Sequence, residues 1–335
     1  MKILLVNSSD PARWGGAEVW MRRTLDTLAS MGHEARALAR EDSPVLESGS
    51  AEMWDGGGAR LVRELRSFQP QLAVAVLHED LRALAWRRRA ARGMRIAMAR
   101  HLPSPRPSWK RRWMYRHLCD ALWVPSEYMK KLLRDVDRMD EARVHVLAPS
   151  MPHFQPRREP HGEPVVACVG RLSPEKGQDV LLRALAQMRA PARLLLVGAG
   201  PELPRLRALA EQLGVASRVE WRERERELGR VYAACQVAAQ PSRMESFGLS
   251  ALEALARGVP LVVSDVGGLP EVVGECALRV RPEDPAALAG ALDQLLEDPA
   301  LRSRLAEGGR NRARRRFTAD AERAALAKAL EGATR

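Results

Sequence analysis

Two glutamates, Glu245 and Glu253, lie eight positions apart in a stretch that reads S-R-M-E-S-F-G-L-S-A-L-E from Ser242. Carboxylates accept hydrogen bonds from hydroxyl groups, and at about 1.5 Å per helical residue these two stand up to roughly 12 Å apart, about the span of a nucleoside diphosphate. One would grip hydroxyls at a sugar end and the other those of a ribose, with the diphosphate on backbone amides between them. Gly248 lets a ligand approach that backbone closely. Arg171 and Lys176, in R-L-S-P-E-K-G, flank a turn at the end of an apolar run. Two cations there can converge on one diphosphate. His78 and His101 each follow a short apolar run, Leu72 to Leu77 and Arg95 to Ala99. Asp135 and Asp137 form a D-x-D, a spacing that can hold metal ions, but residues two apart on a helix point to different faces and do not share one.

Alternating strand and helix patterns must position these groups. Ala234 to Pro241 is short and apolar enough for a buried parallel strand, and the helical pattern after it ends at Gly258. Such a junction turns free amide N–H groups and the positive end of the helix dipole toward a ligand beyond the strand. The start of the chain repeats it: strand Lys2 to Val6 leads through Asn7-Ser8-Ser9 to W-G-G-A-E, where Gly15 and Gly16 open a helix to about Met31. Further strands are expected at Ala35 to Leu38, Ala121 to Ser126, Val144 to Ala148, Pro164 to Gly170, Val219 to Trp221 and Pro260 to Ser264. Another, Leu194 to Val197, ends in the G-x-G of Gly198 to Gly200. Helices are expected at Ala59 to Phe68, Glu127 to Arg138, Ala286 to Leu296, Leu301 to Arg316 and Ala319 to Leu330. The run R-E-R-E-R-E from Arg222 suggests a solvated helix start, and Arg40 to Gly58 a flexible surface loop. In an open α/β sheet the carboxyl ends of the strands line the ligand crevice, which is where both histidines, Arg171 and Glu245 fall.

The chain's 335 residues suit two α/β domains, and P-S-M-P from Pro149 reads as the linker between residues 1–150 and 151–335. Four scattered cysteines in mostly apolar runs read as buried free thiols, which points to the cytosol. The first residues read as a strand rather than a leader, and no apolar run reaches the roughly 18 residues needed to span a bilayer. The net charge is +12, with arginine supplying 48 of the 54 basic residues. Between Arg82 and Arg116 there are twelve basic residues and no acidic one, interleaved with Trp86, Trp109 and Trp113. That composition suits an acidic partner at an anionic membrane surface, where tryptophan prefers the headgroup level.

The stretch from Ser242 to Glu253, followed by A-L-A-R-G-V-P-L-V-V-S-D and by G-G-L-P-E-V-V, resembles the GT-B glycosyltransferases, specifically the retaining family 4. G-R-L-x-x-x-K-G at Gly170 and, more weakly, G-G-A-E at Gly15 add to the likeness. The resemblance implies two Rossmann-like domains facing each other across a cleft, the first binding the acceptor and the second the nucleotide sugar, with the last helix a candidate to pack back on the first. It implies that Arg171 and Lys176 stabilise the leaving diphosphate, Glu245 holds the transferred sugar, Glu253 holds the ribose and His101 stands beside the reacting sugar. Phe247, Gly248 and Leu249 would present amides to the donor, with Gly16 and Gly198 near it. Gly15, His78 and Arg111 would meet the acceptor. No metal or other cofactor is expected, because arginine and lysine supply the positive charge. The acceptor would be a glycan or lipid-linked compound, acidic in character, in cell-envelope or lipopolysaccharide synthesis, with the protein peripheral at the inner face of the membrane. The family often carries an Asn-Gly pair near the linker, and this chain has none there.

Two rivals remain at this level. One is another GT-B enzyme, such as a nucleotide-sugar epimerase, which would consume donor without acceptor. The other is a non-catalytic nucleotide-sugar binder or a basic nucleic-acid-binding protein. The latter lacks a recognised module here.

Overall fold

A computed structural model of the chain describes residues 1–9, 16–41, 43, 45–46, 49–54, 56–152, 154, 160–223, 225 and 227–334. It divides into two compact units, Met1–Pro149 with Asp320–Arg335, and Ser150–Ala319. The first is built on strands β1 (Lys2–Asn7), β2 (Glu34–Ala39), β3 (Ala51–Met53), β4 (Leu72–Ala75), β5 (Arg95–Ala99), β6 (Ala121–Val124) and β7 (Val144–Val146). They pair in the order 3-2-1-4-5-6-7, parallel throughout. Helices α1 (Gly16–Ser30), α2 (Gly58–Phe68), α3 (His78–Trp86), α4 (Trp109–His117) and α5 (Glu127–Asp137) connect them. Central strands covered on both faces need apolar side chains on both, so β1 and β4 read as continuous runs rather than alternations.

The second unit has β8 (Val165–Val169), β9 (Arg193–Val197), β10 (Val219–Arg222), β11 (Val237–Gln240), β12 (Leu261–Ser264) and β13 (Leu278–Val280), again parallel, in the order 10-9-8-11-12-13. Its helices are α6 (Gln178–Gln187), α7 (Leu203–Gln212), α8 (Leu228–Ala234), α9 (Leu249–Ala256), α10 (Leu269–Val273), α11 (Pro285–Glu297) and α12 (Pro299–Arg316). Asp284 and Asp298 start α11 and α12 by accepting from the amides of Ala287 and Leu301, the usual way to satisfy a helix's first N–H groups. The last helix, α13 (Ala319–Thr334), returns to the first unit, where Leu326, Ala329, Leu330 and Ala333 join Ile3, Leu5, Trp20 and Trp123 in one core.

Each sheet reverses its strand order once, between β1 and β4 and between β8 and β11. Chain leaving the two strands there departs to opposite faces and opens a crevice at their carboxyl ends. Several expectations needed correction. The loop from Arg40 to Gly58 contains the edge strand β3, too short and too exposed to show an apolar run. The charged run after Trp221 does not start a helix: Arg222 still belongs to β10, and α8 begins only at Leu228. Helix α3 went unpredicted. Asp80 starts it by accepting from the amide of Leu77 at 2.8 Å.

Candidate active site

At the switch point of the second sheet, the turn after β8 and the loop after β11 bring Lys176 and Glu245 together, with Lys176 Nζ 2.6 Å from Glu245 Oε2. Glu245 is only 7% exposed, and a buried carboxylate needs such a partner. Gln240 Nε2 and Ser242 Oγ stand 3.5 Å from the same oxygen. The main chain is fixed just as closely. Gly268 N donates to Glu245 O at 3.0 Å, and the amides of Arg243 and Met244 both point at Glu175 O. Gly177 makes this approach possible: at φ +67 it takes a conformation strained for other residues, and a Cβ there would collide with the Pro241 carbonyl.

Arg171 leaves the end of β8 with Nε buried and without a hydrogen-bond partner among the described residues. A buried guanidinium nitrogen left open costs free energy that an anion would recover. Glu253 lies half-buried in the second turn of α9. Gly248 precedes that helix at φ +106 with no side-chain cap, so no side chain of its own satisfies the first amides of α9. Phe247 points inward, 2% exposed and edge-on to Phe317 at 5.7 Å between ring centres. Only its backbone can face a donor. Gly198 has a packing reason of its own, since a Cβ would strike the Gly170 carbonyl beside Arg171.

The sequence reading missed Arg243 and Asp179. The Arg243 guanidinium forks onto Asp179, with Nη1 2.7 Å from Oδ1 and Nη2 2.9 Å from Oδ2. Burial alone would raise the Asp179 pKa, yet Arg243, helped by Arg183 and Arg205, holds it down to about 2. An arginine two residues before a glutamate was the available signal, but the aspartate it needs lies 64 positions away.

The first unit has its own polar cluster where β1 and β4 diverge. Glu18, 4% exposed, accepts from Asn7 Nδ2 at 3.3 Å and Ser9 Oγ at 2.5 Å. Asp80, fully buried, accepts from the amide of Ser8 at 3.1 Å. His101 follows β5, its ring centre 4.6 Å from that of Trp20, with Nε2 buried and without a partner among the described residues. Burial, then the charge of Arg100, lowers its pKa to about 4, so the ring is neutral at pH 7. His78 opens α3 and pairs through Nε2 with Tyr115 Oη at 2.9 Å. Burial first, then Arg100, Arg111 and Arg82, brings it to about 4 as well. Gly16 is the exposed first residue of α1, and Gly15 lies outside the described residues.

Comparison with known proteins identifies the family. The model for glycosyl transferases group 1 matches residues 152–312, and that for Glycosyltransferase Family 4 matches 14–152. The D-inositol 3-phosphate glycosyltransferase of Corynebacterium urealyticum is 30% identical over 88% of this chain and 85% of its own. The chain belongs to glycosyltransferase family 4. Other relatives of that name match over less: that of Stackebrandtia nassauensis is 38% identical over 58% of this chain, and that of Acidothermus cellulolyticus 46% over 43%. The aligned part spans 50% and 36% of those two relatives. Among solved structures, HepE of Anabaena in complex with UDP-glucose superposes with a TM-score of 0.86 at 21% identity over 99% of both chains. The sucrose-phosphate synthase of Thermosynechococcus elongatus gives 0.84 at 23% over 98% of both. These two establish the GT-B fold.

In this family 4 member the basic block is not a single free face. Arg111 is 7% exposed, paired with Asp137 at 2.7 Å and bonded to Ser104 and to the carbonyl of Arg106. Its donors are spent inside the unit, which removes it as an acceptor contact. The same pairing and that of Asp135 with Arg134 occupy both carboxylates of the D-x-D. Arg88 and Arg95 share Asp120, each at 2.9 Å. Arg89, Arg92, Arg106 and Lys110 are exposed, as are Trp86 at 82%, Trp109 at 75% and Trp113 at 52%.

Proposed function

We propose that the protein is a retaining glycosyltransferase that moves a sugar from a nucleoside-diphosphate donor, held by the second unit, to a phosphorylated acceptor met by the first. The observation that carries this is the Lys176–Glu245 pair at the β8–β11 switch point, on the same stretch after β8 as Arg171, whose Nε is buried without a partner among the described residues. The bond from anomeric carbon to diphosphate oxygen breaks, the bond to the acceptor oxygen forms on the same face, and the acceptor proton passes to the departing diphosphate. Arg171, Lys176 and the α9 amides stabilise the charge growing on that diphosphate. Glu245 holds hydroxyls of the transferred sugar and Glu253 those of the ribose. In this reading Arg171 and Lys176 supply the positive charge that a metal ion would otherwise bring to the leaving group.

Relatives named for D-inositol 3-phosphate support a phosphorylated acceptor, and structures of the same fold hold UDP or UDP-glucose. The exposed tryptophans among arginines favour a second form of the same reading: an acceptor carried on a lipid, in envelope or lipopolysaccharide synthesis, met at the membrane surface. Among the described residues no helix is long and apolar enough to cross a membrane. A thermal-shift screen of UDP, GDP and ADP tests the donor assignment, since a ligand of the native state raises its melting temperature by mass action. One of the three should raise it, UDP first. No shift with any of them would reject the reading.

A further inference from the structure

We infer that Arg243 and Asp179 form a positioning pair that sets Glu245 against Lys176. The inference rests on the reading of those two residues as the donor site. Arg243 stands two residues before Glu245, and Asp179 three after Lys176. Each member of the 2.6 Å pair therefore hangs on a short turn, and one guanidinium holds both turns. Besides its fork onto Asp179, Arg243 Nη1 donates to Pro174 O at 2.7 Å, directly inside the turn that carries Lys176. Its remaining edge meets Glu283, with Nη2 3.1 Å from Oε2. A bidentate arginine fixes orientation as well as distance, which a lysine at the same place would not do.

The surroundings separate this role from general scaffolding. Asp179 is 6% exposed, so its partner matters. The core of the second unit takes its side chains from other segments, none of them in residues 242–245. The neighbouring Met244 is 42% exposed. Removing the Arg243 side chain therefore opens no cavity in the apolar core. It frees the Glu245 carboxylate to wander, and about 1 Å of misplacement at a reacting centre costs on the order of a hundredfold in rate.

The test compares wild type with Arg243→Ala, Arg243→Lys and Asp179→Asn. It measures melting temperature, UDP affinity by calorimetry, and nucleotide release from UDP-, GDP- and ADP-glucose. A positioning pair predicts that kcat falls at least about tenfold in Arg243→Ala and in Arg243→Lys. UDP affinity should fall less than kcat does, because UDP lacks the sugar that Glu245 holds while Lys176, loosened on its turn but still charged, continues to meet the diphosphate. Asp179→Asn keeps one acceptor oxygen and should fall between. Turnover of folded Arg243→Ala within about twofold of wild type, with only the melting temperature lowered, would overturn the pair's role and leave the donor site standing. A wild type that releases nucleotide from none of the three donors would overturn the reading of the site and the pair with it.

Discussion

Lys176 and Glu245 pair at 2.6 Å, and that contact sets what each substitution should do. Glu245→Gln removes the charge but keeps an acceptor, so sugar transfer should slow about tenfold or more while UDP affinity stays near wild type. Glu253→Gln should do the reverse, raising the donor dissociation constant about tenfold because a carboxylate gripping ribose hydroxyls becomes a weaker acceptor. Unchanged donor affinity in calorimetry on the Glu253 variant rejects the ribose assignment. His101, near 4 in the folded protein, takes up its proton in the unfolded chain first, at about 6.5. Its burial thus costs stability as pH falls from 6.5 toward 4, and none above 6.5. Turnover should accordingly show no titration of His101 between pH 5 and 8; an acid limb near 6.5 that disappears in His101→Gln contradicts the neutral ring. Lys176 and Glu245, which the structure brings together, were legible as candidates because carboxylates, cations and glycines stood at family spacing within short stretches. What joins them was not: Lys176 and Glu245 are 69 positions apart, and Arg243 and Asp179 are 64. Arg111 was misjudged for the same reason, since the absence of acids between Arg82 and Arg116 says nothing of Asp120 and Asp137 arriving from later elements.

At the scale of elements, the β8–α6 turn and the loop after β11 close on each other through Gly177. Gly177→Ala brings a Cβ against the Pro241 carbonyl at a positive φ, and both effects oppose the folded turn. The variant should lose more than about 1 kcal/mol in urea unfolding and bind UDP more weakly. Wild-type stability would show that the turn relaxes without cost. Long apolar strands and capped helices were readable because buried parallel strands impose continuous apolar runs. The three-residue strand β3, half exposed at a sheet edge, carries no such run. Helix α10, five residues between glycines, is too short for helical periodicity to register.

At the scale of the molecule, the chain leaves the first unit at Pro149 and re-enters it at Asp320, so α13 completes a core begun at Ile3. The basic residues that remain exposed after Asp120 and Asp137 take their shares define what a membrane would meet. Co-sedimentation with anionic vesicles should be strong at low salt and fall as salt rises. It should drop further when Arg89, Arg92, Arg106 and Lys110 become Glu, each basic residue contributing about 1 kcal/mol at such a surface. Equal binding to neutral vesicles rejects the membrane form of the proposal while leaving a soluble phosphorylated acceptor. In the proposed reaction the second unit binds a nucleoside diphosphate through Lys176. Calorimetric titration of UDP into wild type and Lys176→Ala measures it directly. The expected loss in the variant is about 2–4 kcal/mol, roughly thirtyfold to a thousandfold in affinity. Equal affinity in the two proteins would contradict it.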